Sequence, residues 1–176
     1  MGKRLLFWET AGFLFVAAAG TLLHFVYDWS GGSALAAVFS AVNESTWEHM
    51  KLLFVPMVAV SAAQQAAFGR EISNLTAVRA VSTLTGLALI PILFYTYTGV
   101  LGYGVTWANI AIFYLSALAA FALDFRLLRR GRFSALRQQR FGAVILLALG
   151  AAFIWCTFHP PELGLWRDPV TGGFGI

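Results

Sequence analysis

The sequence predicts an all-α fold: a polytopic transmembrane helical bundle of about five spans, with a short interfacial or re-entrant helix between spans one and two. Three observations predict it. Hydrophobic residues make up 59% of the 176 and charged residues only 11%, against roughly 25% charged in a soluble domain, and the mean hydropathy is +0.74. Five apolar stretches approach the ~20 residues that a bilayer requires, at about 5–27, 46–68, 75–98, 107–128 and 137–158. The basic residues cluster at the ends of these stretches, which is a topology signal rather than a phosphate-binding groove. The chain reads as one transmembrane domain over 1–176, with a tail at 159–176, no internal repeat and no linker.

Span one follows Lys3 and Arg4 and contains Ala17-Ala18-Ala19, which loosely resembles a signal-peptide cleavage site. The apolar run continues to Tyr27, so an uncleaved helix is expected. Residues 33–42 are apolar but too short to cross, and Gly31-Gly32 before them frees the backbone to turn back. Span two opens on Ser45-x-x-Glu48, a capping-box pattern, and contains Pro56; span three contains Pro91. Such prolines are tolerated where neighbouring helices satisfy the freed carbonyls. Gly20, Ala59, Gly86, Ala120 and Gly150 are small enough for close helix packing. Span five ends at Pro160-Pro161, which redirects the chain.

With the N-terminus inside, Lys3, Arg4, Arg70, Arg79, Arg126, Arg129, Arg130, Arg132, Arg137 and Arg140 fall in cytoplasmic segments, and only Lys51 and Arg167 fall opposite. Ten of twelve basic residues on one side is a strong positive-inside bias. It predicts a multi-pass membrane protein with the N-terminus cytoplasmic, the C-terminus extracytoplasmic and the lipid bilayer as its partner. Trp29, Trp47, Trp107 and Trp166 would form an aromatic belt at the extracytoplasmic face.

That topology brings all three histidines, His24, His49 and His159, to the extracytoplasmic end, with Asp28, Glu44, Glu48, Glu162 and Asp168. Ionisable groups at membrane depth are costly and usually functional. His24 and Asp28 are i,i+4, as are Glu44 and Glu48, and each pair shares a helix face. His24, His49 and His159 are the candidate metal ligands, with zinc the candidate ion, because three imidazoles with a carboxylate and a water suit it. Glu48 and Asp28 are the candidate catalytic carboxylates, Glu48 as general base to a metal-bound water. Each residue also has a plainer reading. Glu48 closes a capping box or pairs with Lys51 at i,i+3, His24 bonds a carbonyl, His159 lies in a solvated turn, and Asp168-Pro169 is turn chemistry.

The segments Leu23-His24-Phe25-Val26-Tyr27-Asp28-Trp29-Ser30-Gly31 and Val42-Asn43-Glu44-Ser45-Thr46-Trp47-Glu48-His49-Met50-Lys51, with the closing Arg167-Asp168-Pro169-Val170-Thr171-Gly172, resemble a family of small prokaryotic membrane proteins defined by a domain of unknown function. The resemblance covers essentially the whole chain and implies five spans in a prokaryotic cytoplasmic (inner) membrane, but no reaction. A second similarity is to membrane hydrolases of the alkaline ceramidase type, in which three histidines and an aspartate hold zinc. This chain has those residue types but fewer spans and no paired-histidine spacing.

Three function classes follow: a metal-dependent (zinc) membrane hydrolase acting on a lipid or amide, a small transporter or ion-binding protein using Gln64, Gln65, Ser82, Thr83 and Thr85, or a non-catalytic accessory subunit, with a lipid or small-molecule ligand as the candidate partner. The sequence has no Gly-rich phosphate loop, no G-x-S-x-G elbow and no CxxC pair, and its single Cys156 excludes an intramolecular disulfide. Neither substrate nor oligomeric state is legible in it.

Overall fold

The computed structural model describes residues 2–69 and 71–176. These form α1 (Gly2–Trp29), α2 (Ala34–Phe39), α3 (Thr46–Phe68), α4 (Leu75–Leu101), α5 (Thr106–Arg129) and α6 (Leu136–Phe158), with no β-strand among them. Five of the helices are long and apolar enough to cross a membrane, which makes this a multi-pass membrane protein. Their bounds follow the apolar stretches closely, and α3 occupies the expected 46–68. Arg70, one of the expected cytoplasmic basic residues, lies outside the described residues.

The central helices are α3 and α4. Half of the apolar window of each is buried, against 17% for α1 and α6. Helix α4 packs on α3, α5 and α6, while α1 packs on α3 and α5. The main core joins Val16, Leu53, Met57, Leu87, Ala117, Phe121 and Phe153; a smaller one near the N-terminal end joins Leu5, Phe68, Leu75, Val78 and Leu128. Outward-facing positions carry Phe7, Leu14, Leu118 and Leu147, all exposed. This apolar exterior suits lipid, where every backbone polar group must be satisfied within the helix.

Small residues set the closest approaches. A Cβ on Gly20 would lie 2.7 Å from the Leu52 carbonyl oxygen, and one on Gly86 would lie 3.2 Å from that of Ser116, beside Ala120. Gly12 and Gly142, not singled out by sequence, are equally tight: the first abuts Phe121 and the second the backbone of Ala77. Ala59 instead faces outward, and Gly150 makes only ordinary contact with Phe54. Pro56 and Pro91 both sit within continuous helices.

Gly31 and Gly32, at φ 69° and 78°, turn the chain after α1, and the short α2 packs against α1, α3 and α6 at the end of the bundle that carries the C-terminus. The tail after α6 folds back onto this end. Leu165 accepts from the Trp47 N–H at 3.0 Å, and Asn43 donates to the Gly175 carbonyl at 2.9 Å. Asp168 is a turn residue here, accepting from the Val170 N–H and the Thr171 hydroxyl, both at 2.8 Å. The expected tryptophan belt divides. Trp29 and Trp107 are exposed, whereas Trp47 and Trp166 pack on each other at 4.9 Å and fasten the tail to α3.

Candidate functional site

Ser45 starts α3. Its hydroxyl accepts from the Glu48 N–H at 3.4 Å, as the capping pattern requires, and its own N–H is held by the Asn43 side chain at 2.9 Å. Because Asn43 also binds the tail, the loop preceding α3 is tied from both sides. Glu44 projects from that loop between two imidazoles, His24 near the end of α1 and His49 in the first turn of α3. Its Oε1 lies 3.5 Å from His24 Nε2 and its Oε2 lies 3.5 Å from His49 Nε2. The two rings are 5.2 Å apart. One ligand atom from each of the three residues falls within 4.8 Å of the others.

The tautomer of His49 follows from its surroundings. Nδ1 lies 2.9 Å from the Ser45 carbonyl oxygen, which can only accept, so Nδ1 carries the hydrogen and the neutral ring presents its Nε2 lone pair to Glu44. Holding the distal nitrogen on a backbone carbonyl is the usual means of orienting a metal-ligating histidine. The three side chains are 31–45% exposed, so the cluster is sheltered yet open to solvent. His24 is the main reason that the Glu44 carboxyl sits below its ordinary range; His49 adds to this and partial burial opposes it. A carboxyl lowered on folding adds stability above its unfolded value, and that stability is lost as pH falls through the lowered one.

Of the other expected site residues, Glu48 and His159 are engaged elsewhere. Glu48 forms a fully buried ion pair with Lys51 at 2.6 Å, and it accepts from Thr157 at 3.0 Å and from the Val42 N–H at 3.2 Å. Lys51 in turn donates to the Ala37 carbonyl at 2.7 Å and to Thr157 at 2.8 Å, which binds α2, α3 and α6 together. His159 is exposed and stacks on Trp155 at 4.4 Å, apart from the triad. Asp28, one turn after His24, is exposed. Glu44 stood among the acids at this end of the sequence but not among the site residues. The available signal was its position on the loop that opens α3, five residues before His49.

A second polar cluster, near the opposite end, was not anticipated as a unit. Arg79 is no flanking charge: it is fully buried, as is Lys51 at the other end, because each has a carboxylate partner inside the bundle. The basic asymmetry persists without these two. Arg79 Nη2 lies 2.8 Å from Asp124 Oδ2, 2.5 Å from Gln64 Oε1 and 3.6 Å from Glu9 Oε1. Gln64 donates to Glu9 at 3.0 Å and Ser82 donates to Asp124 at 2.6 Å. The sequence signal was a lone acid inside an apolar span, at Glu9 and again at Asp124. Of the polar residues considered for transport, Gln64 and Ser82 belong to this cluster, Gln65 faces outward and Thr85 bonds its own helix.

The chain belongs to the Family of unknown function (DUF6512), whose family model matches residues 3–176. No curated protein and no solved structure matches it.

Proposed function

We propose that this membrane protein binds a divalent transition-metal ion, zinc by ligand chemistry, through His24, Glu44 and His49. The observation that carries this reading is a single carboxylate set 3.5 Å from each of two imidazole nitrogens. That spacing exceeds the roughly 2.7–2.9 Å of a charge-assisted hydrogen bond. It is close to the ~3.3–3.4 Å separating neighbouring donors around a tetrahedral ion with bonds of 2.0–2.1 Å. Two nitrogens and one carboxylate oxygen form a ligand set that zinc favours.

Elemental analysis of the full-length protein in detergent after exposure to Zn²⁺ should find one ion per chain. His24→Ala and His49→Ala should each weaken binding by at least ~100-fold, while His159→Ala should leave it intact. Because imidazole ligates only when neutral, retention should also fall on acidification. Full retention in a His24→Ala/His49→Ala double variant would overturn the proposal.

A hydrolytic reading is favoured by one feature: three protein ligands leave a fourth position for water, as in catalytic zinc sites. Glu48 is committed to Lys51, so Asp28 is the carboxylate available as general base. Zinc-dependent ester or amide hydrolysis that falls in Asp28→Asn without loss of metal would establish it.

We also infer that the N-terminus faces the cytoplasm and that the metal site is extracytoplasmic, from the basic residues on the connection 130–135 and around it. A reporter fused after Ile176 should be extracytoplasmic and one inserted near Gly131 cytoplasmic. The reverse pattern would exclude this orientation.

A further inference from the structure

The cluster near the N-terminal end of the bundle is built by four helices: Glu9 from α1, Gln64 from α3, Arg79 and Ser82 from α4, and Asp124 from α5. Each of these residues is at least nine-tenths buried: Glu9 is 3% exposed and the other four are wholly enclosed. Arg79 from α4 and Asp124 from α5 are the charged groups among the described residues that face Glu9, and α3 contributes only the neutral Gln64. Two carboxylates therefore share one guanidinium. With both ionised, the cluster carries an uncompensated negative charge in a medium where such a charge is very costly.

The hydrogen bonding points to the same deficit. Glu9 Oε2 is buried and has no donor among the described residues, Asp124 Oδ2 has none of good geometry, and Arg79 Nε and Nη1 reach no acceptor, so the guanidinium does not supply the hydrogens these carboxylates lack. The 2.8 Å contact of Asp124 Oδ2 to Arg79 is close but not aligned as a hydrogen bond. Glu9 and Asp124 both approach the same guanidinium nitrogen, Arg79 Nη2, at 3.6 and 2.8 Å. Two carboxylates thus crowd one nitrogen, each with an oxygen lacking a donor, and one proton supplies both a donor and the missing charge.

We propose that Glu9, paired with Asp124 and counter-charged by Arg79, is a proton-binding site inside the membrane. Binding forms an O–H bond on Glu9 from a solvent proton, and release returns it, so the cluster alternates between neutral and singly negative. A monovalent metal ion fits less well. It needs several oxygens, whereas Gln64 Oε1 is already taken by Arg79, and the central guanidinium repels a second cation. Carboxyl pairs that share a proton behave in this way when like charges are held too close for both to ionise. The site is independent of the proposed metal centre at the other end.

Infrared spectroscopy of the full-length protein in detergent tests this directly. At neutral pH the parent should show a protonated carboxylic C=O band that shifts in D₂O and disappears on alkaline titration. Glu9→Gln, which keeps the shape and the Gln64 contact, should fold and lack the band. Absence of the band in the parent, or its persistence in Glu9→Gln, would overturn the proposal. So would sodium removing the band at fixed pH, or stabilising the parent but not Glu9→Gln, since either result assigns the site to a metal cation. The titration of the parent decides the matter even if the variant does not fold.

Discussion

Lys51→Met should destabilise the protein by about 3–5 kcal/mol, the usual cost of stranding one member of a buried ion pair. Lys51 spends its ammonium on Glu48, the Ala37 carbonyl and Thr157, all within 2.8 Å. Without it the Glu48 carboxylate remains enclosed with only Thr157 and the Val42 N–H, and α2 loses its tie to α3. Thermal unfolding in detergent should report the loss, and limited proteolysis should newly cut the segment 33–42. Pairing the change with Glu48→Gln should recover a large part of the stability, because the stranded charge is gone. A loss below ~1 kcal/mol with α2 still protected would mean that the ion pair is not what holds this end closed.

Arg79→Leu should be comparably damaging, again about 3–5 kcal/mol. It removes the one counter-charge among the described residues that faces Glu9 and Asp124, and also empties the space over the Phe121 ring, which the guanidinium carbon approaches to 5.2 Å. A change so deep in the bundle also loosens the meeting point of α1, α3, α4 and α5. Neutralising the acids as well, in Glu9→Gln/Arg79→Leu/Asp124→Asn, should restore most of the melting temperature. If the triple variant is no more stable than Arg79→Leu, the damage comes from lost packing and not from unpaired charge. Zinc binding at the proposed centre, tested in parallel, should be the same in the parent and in every variant that folds.

The five spans were legible because crossing a bilayer imposes a length and an apolarity that can be counted along the chain. The break after α1, at Trp29 rather than the expected Tyr27, and the restart at the Ser45 cap were legible to within two residues, since Gly31-Gly32 and the cap are local chemistry. The pairing of Glu48 with Lys51 was visible as one of two readings, because i,i+3 neighbours meet on any helix. His24 and His49 could be assigned to one level but not to each other. Local spacing favoured Asp28 as the partner of His24, whereas the fold places Glu44 there, carried in by a loop that the tail fastens through Asn43. Arg79 shows the same limit: a basic residue at the fifth position of a helix reads as a flank until a carboxylate from another helix is seen beside it.

By itself, then, the sequence determined how many helices are long and apolar enough to cross, roughly where they start and stop, and which end of the bundle each polar residue occupies. Those are properties of depth, and depth is set residue by residue through transfer into hydrocarbon. The tertiary structure alone decided which polar groups meet: Glu44 with two histidines, Lys51 with Thr157, Arg79 with Glu9, Gln64 and Asp124. Such meetings depend on how each helix is rotated about its axis. In a soluble protein an apolar stripe reveals that rotation, but here lipid is as apolar as the core and the helix faces look alike. Rotation is fixed instead by glycines such as Gly20 and Gly86, which let backbones close to contact, and by the buried hydrogen bonds that form once they do.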